Sequence, residues 1–143
     1  MRGLEWDGNR LLTVAMVGDS LKIRVNRITN GIVHGNTPFG SINVIWHGDN
    51  PELGKVYDVE LDIDKVLVWG KDVLLANSGD FAIVCNGGST MLHGVLESVD
   101  ADGYAVLRMG DYIIPFVAKG VYFDIDSRII VCIDSISASP ISY

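Results

Sequence analysis

From Val56 to Asp64 the chain reads VYDVELDID, with an apolar side chain at every second position and a carboxylate between each pair. A period of two belongs to a β-strand with one face in a core and the other in water; a helix would scatter these residues around its axis. Tyr57, Val59, Leu61 and Ile63 are therefore assigned to the interior, and Asp58, Glu60, Asp62 and Asp64 to one outer face.

Shorter runs of the same kind fill the rest of the chain: LLTVAMV (11–17), LKIRVNRI (21–28), SINVIW (41–46), KVLVW (65–69), FAIVC (81–85), HGVLESV (93–99), YAVLRM (104–109), YIIPFVA (112–118), VYFDI (121–125) and RIIVCI (128–133). Turn-forming residues separate them. Gly18-Asp19-Ser20 and Asp100-Ala101-Asp102-Gly103 read as hairpin turns, and Asn50-Pro51 marks a longer loop. Pro115 places its run at a sheet edge or a bulge, because proline has no N–H to give to a ladder. A single turn at Ser89–Leu92 is the best helical candidate. These features predict an all-β chain, a small twisted antiparallel β-barrel or barrel-like sandwich of about 8–10 short strands. The barrel is preferred, since closure removes exposed edges. The expected organisation is one domain over 1–143, ending in a short Ser-rich tail at 136–143.

The 143 residues are 48% hydrophobic, with a mean hydropathy of +0.29. A chain of this size builds a core without metal or disulfide support. Cys85 and Cys132 lie in apolar runs and form no C-x-x-C pair, so two reduced thiols in a cytoplasmic protein are expected; one strand-to-strand disulfide is the other reading. The opening MRGLEWDGNR lacks the basic-then-apolar pattern of a secretory signal, and no run reaches the ~20 apolar residues of a membrane helix. The expectation is a soluble protein without membrane contact.

Four carboxylates on one strand face admit several uses. Same-face neighbours lie about 6.6 Å apart on a strand, and two such charges repel by about 0.6 kcal/mol in bulk water, which a wet face tolerates. Calcium needs six to eight oxygens gathered by a curved loop; a straight strand spreads its acids, and no EF-hand pattern is present. Glycoside hydrolysis needs two carboxyls flanking a bond, one with its pKa raised by burial, which an outward row does not supply. Two uses remain: keeping the sheet soluble and meeting a basic partner. Charge is unevenly spread along the chain. Residues 1–48 carry five Lys/Arg against three acids, and residues 49–143 six against fifteen. A focused acidic surface attracts cationic partners and speeds their association.

Other chemistry finds little support. His34, His47 and His93 each precede a glycine, as at strand ends, and no zinc-ligand spacing occurs. Cys85 with His93 would form a nucleophile and base, but no cation lies nearby in sequence to activate the thiol. Trp46 and Trp69 fall in phase with apolar neighbours and read as core, leaving Trp6 outside that pattern. Asp124-Ile125-Asp126 before SRIIVC echoes Asp62-Ile63-Asp64 before KVLVW; chance similarity of two strands is preferred to a duplication.

The stretch HGVLESVDADGYAVLRMGD (93–111), through Gly94, Leu96, Gly103, Val106 and Arg108, resembles the opening hairpin of an OB-type barrel of the S1 sort. That resemblance implies nucleic-acid or ligand binding. Phosphate tracking relies on Lys and Arg, however, and here the basic residues are few: Lys22, Arg24 and Arg27, with Arg108 apart from them.

The sequence therefore points to a protein-binding module without a catalytic centre, cofactor or metal. Its expected partner is a basic protein met by Asp58, Glu60, Asp62 and Asp64, with Asp124 and Asp126. Such a chain suits an inhibitor or immunity protein masking a bacterial toxin or nuclease, its carboxylates standing in for phosphates. The alternative is an OB-like nucleic-acid or ligand-binding barrel using Lys22, Arg24 and Arg27, with Arg108.

Overall fold

The computed structural model describes residues 20–77 and 79–141. Twelve strands are present among them and no helix. They are β1 (Leu21–Thr29), β2 (Ile32–Thr37), β3 (Gly40–Trp46), β4 (Val56–Asp62), β5 (Val66–Val68), β6 (Val73–Leu75), β7 (Ala82–Asn86), β8 (Ser89–Val99), β9 (Tyr104–Met109), β10 (Tyr112–Lys119), β11 (Arg128–Ile133) and β12 (Ser137–Pro140). The run at 11–17, the turn through Gly18 and Asp19, and Trp6 lie outside the described residues.

Five strands close a barrel in the order β1-β2-β3-β12-β4, with β4 returning to β1. Alternation drives it. Leu21, Ile23 and Val25 of β1, Val33 of β2, Ile42 and Val44 of β3, and Val59 and Leu61 of β4 all point inward and are buried. Asn30 and Gly31 both take positive φ in the β1–β2 turn, the backbone of a two-residue hairpin whose twist matches its strands. β12 lies parallel to β3 and antiparallel to β4 and closes the barrel between them.

The second sheet runs β5-β10-β9-β8-β11-β6, with β7 also paired to β8. Its two ends nearly meet: a bridge joins Trp69 to Val73, and Gly70 N–H donates to the Val73 carbonyl at 2.8 Å. Buried residues of both sheets form one contiguous cluster. Ile83 N–H donates to the Phe39 carbonyl at 2.9 Å, and Leu61 N–H donates to the Tyr112 hydroxyl at 2.9 Å; both bonds tie the sheets together.

Several expectations need correction. The Ser-rich segment at 136–143 is no tail: Ser137 and Ala138 are buried and form the closing stave of the first barrel. Ser89–Leu92 begins β8 and is not a helical turn. VYFDI at 121–125 forms no strand. Val121 is 88% exposed, while Tyr122 and Phe123 turn back onto Trp69 with ring centroids 6.5 and 5.3 Å away. Strands β2 and β6 fall where none was expected. Pro115 sits beyond the Val117–Lys119 stretch that pairs with β5, on the open side of β10, where a missing N–H costs nothing.

His34 and His93 lie inside β2 and β8, not at strand ends. Their glycines answer a packing demand. A Cβ on Gly35 would stand 2.6 Å from Ile23 Cγ1 and 2.7 Å from the Arg24 carbonyl oxygen, and one on Gly94 2.5 Å from the Arg108 carbonyl oxygen. Both mark places where strands cross closely enough to exclude any side chain.

The acidic face of β4

β4 is extended and alternates as its sequence demands, and the pattern continues one residue pair beyond it. Val59, Leu61 and Ile63 are buried while Glu60, Asp62 and Asp64 are exposed. Tyr57 is half-buried, its ring edge-on to Trp46 at 5.2 Å. β12 flanks the row on one side, with Ser139 opposite Glu60 and Ser137 opposite Asp62. Cross-strand partners share a face, and these short side chains leave the carboxylates uncovered. His47 Nε2 lies 3.1 Å from Ser137 Oγ, beside the row.

Asp58 stands apart from the other three. Lys22 Nζ donates to its Oδ1 at 2.7 Å and Ser20 Oγ at 2.9 Å. Lys22 first and Ser20 second hold its carboxyl below the usual aspartate value. The expected row of four is therefore shortened to Glu60, Asp62 and Asp64, none of which makes an ion pair among the described residues. Crowding has the opposite effect at Asp62. A hydrogen bond shared with the Asp64 carboxyl, then partial burial and repulsion from Asp64 and Glu60, raise its pKa. The uneven charge along the sequence is not segregation in space, because β1, with Lys22 and Arg24, lies directly against β4.

Asp124 and Asp126 lie elsewhere. They belong to the β10–β11 connection of the second sheet, where Asp126 N–H donates to the Leu96 carbonyl at 2.8 Å and Ser127 N–H to the Asp124 carbonyl at 3.1 Å. Of the basic residues of the alternative face, Lys22 and Arg24 share the exposed face of β1, while Arg27 and Arg108 stand apart from them. Arg24 donates to the Gly54 carbonyl at 2.9 Å, and Arg27 follows a bulge that shifts β1 against β2. Arg108, on β9, pairs with Glu97 at 2.9 Å. The DID echo is out of phase, since Asp62 ends a strand and Asp124 begins a turn.

Cys85 and Cys132 cannot join. Cys85 pairs with Thr90 on one side of β8 and Cys132 with Met91 on the other. Two strand spacings, roughly 9.6 Å, exceed the ~7 Å reach of a disulfide, and adjacent positions of β8 face opposite ways. The Cys85–His93 pair fails for a similar reason. His93 is opposite Ala82, three positions from Cys85, which is about 10 Å along the strand and on the other face. Burial, then the Asp72 charge, raises the Cys132 thiol pKa. Among the described residues, no group of three or more His, Cys, Asp or Glu side chains converges to hold a metal ion, and none of them forms a helix long and apolar enough to cross a membrane.

The sequence signal missed at this site is β12. Its alternation of Ser and Ala is too small and polar to stand out as a strand, yet it borders the row. No protein-family model matches the chain, and neither a curated protein nor a solved structure matches it.

Proposed function

We propose that this chain is a non-catalytic binding module of the cytoplasm that docks a basic protein on the outer face of β4. It acts there as an inhibitor or immunity protein does, by filling the cationic cleft of a toxin or nuclease. One observation carries this reading: Glu60, Asp62 and Asp64 project from one wet strand face with no ion pair among the described residues, and their crowding raises the pKa of Asp62 despite an opposing contribution from His47. A cation delivered by a partner relieves that repulsion, so the face favours binding over standing alone. Carboxylates gathered on one strand face compete with phosphates for the same lysines and arginines.

The test is capture of basic proteins from the native host's lysate, titrated with salt. Glu60→Lys with Asp62→Lys should slow association by tenfold or more, as rim charges act mainly on the on-rate, and leave thermal stability in place. Unchanged capture by that variant overturns the proposal.

A second reading rests on the strand order of the first barrel, since OB-type barrels bind oligonucleotides and oligosaccharides on their second and third strands and adjoining loops. Lys22, Arg24 and Arg27, on β1 alongside β2, would border that surface and supply its cationic contacts. Loss of binding with Lys22→Glu and retention with the acid-face variant would select it.

A further inference from the structure

We infer that the chain is two copies in tandem of one five-stranded unit, and that the copies have traded their fifth strands. The first unit runs β1, β2, β3, β4; the second runs β8, β9, β10, β11. In each, the first three strands form an antiparallel meander and the fourth returns antiparallel to the first. Both first strands carry a register shift against the second strand, between Val25 and Arg27 and between Leu96 and Ser98. In both, the stretch before the shift pairs with the fourth strand. The third-to-fourth connections span 47–55 and 120–127.

Each fourth strand is followed, after three residues (63–65 and 134–136), by a short fifth one: β5 with its continuation β6, and β12. A fifth strand here lies parallel to a third and antiparallel to a fourth. β12, which follows the second unit, does this with β3 and β4 of the first. β5 and β6, which follow the first unit, do it with β10 and β11 of the second. The exchange is reciprocal, so neither the barrel nor the nearly closed second sheet is complete within its own stretch of sequence. The duplication lies in topology and connection length, with the side chains too far diverged to carry it.

The consequence is an interlock, and it is testable on the full chain. A protease site inserted in the β6–β7 connection and then cleaved yields two fragments, each holding the stave of the other's barrel. They should co-elute at the mass of the intact chain and part only in denaturant; fragments that separate in native buffer would overturn the inference. Hydrogen exchange distinguishes the interlock from mere contact between two self-closed halves. Ile45 N–H donates to the Ile136 carbonyl and His47 N–H to the Ala138 carbonyl, each at 2.9 Å. Ala138→Asp should therefore speed exchange at residues 45 and 47 and along β4 by tenfold or more, sparing β10. Leu67→Asp should do the reverse, loosening Trp69, whose N–H donates to the Lys119 carbonyl at 3.0 Å, and β10. If Ala138→Asp instead loosens β10 and β11, the strands are not exchanged. Should either variant fail to fold, the milder Ala138→Gly and Leu67→Ala carry the same exchange readout, with the same outcomes expected and overturning.

Discussion

Tyr112 shows how one side chain can hold two sheets together. Among the described residues the β1–β4 ladder reaches no further than Leu21 opposite Val59, and the Leu61 N–H donates across to the other sheet, where the Tyr112 hydroxyl accepts its hydrogen bond. Tyr112→Phe orphans a buried donor and should cost about 1–3 kcal/mol in urea unfolding. Burial pushes the Tyr112 pKa from 10.0 up to about 12. A raised folded-state value means the stabilisation is complete below pH 10 and is lost as pH rises through 12. The loss should be on the order of 2–3 kcal/mol and absent from Tyr112→Phe. Gly94 invites a sharper test. Its missing Cβ would meet the Arg108 carbonyl oxygen, while a Cβ on Gly88 would meet nothing within 4 Å. Gly94→Ala should destabilise by about 1–3 kcal/mol or more, and Gly88→Ala should leave the denaturation midpoint nearly unchanged.

At the scale of the strand, β4 was legible because its alternation is strict and its polar residues are all acids. What sequence alone misses is the neighbour across each ladder. Asp58 looked equivalent to Glu60 until β1 brought Lys22 against it. β12 hid because Ser and Ala lack the bulk that marks a strand, and tertiary closure supplies the burial that propensity does not. β2 was overlooked even though Asn30-Gly31 is a strong hairpin signal. VYFDI misled for the converse reason: its Tyr122 and Phe123 carry the composition of a strand but are used to pack against Trp69. The acid row also sets a pH dependence. Asp62 takes up its proton above the ordinary 3.8, so partner capture should begin to weaken, as pH falls, above that value. The sign for folding is opposite to that at Asp58: the Asp62 proton favours the native state at low pH, and this contribution fades as pH rises through the raised value. Asp64→Asn removes the neighbour responsible and should move the onset of lost capture to lower pH, measured by binding alongside carboxyl NMR titration.

For the molecule as a whole, the twelve strands of the described residues make one core from a closed barrel and a nearly closed second sheet. Fold class followed from periodicity; the route of the chain between barrels did not, because connectivity leaves no trace in alternation. The separation of Cys85 and Cys132 across β8 predicts that melting temperature is insensitive to reductant, with both thiols reacting with a maleimide after unfolding in its absence. Chain order has a consequence for synthesis. Residues 21–62 leave the ribosome before Ser137–Pro140 and stay unsealed until these emerge. Between the emergence of Asp62 and that of Ser137 the nascent barrel has a gap between β3 and β4, a site where a chaperone or a neighbouring nascent chain can pair before the closing stave arrives.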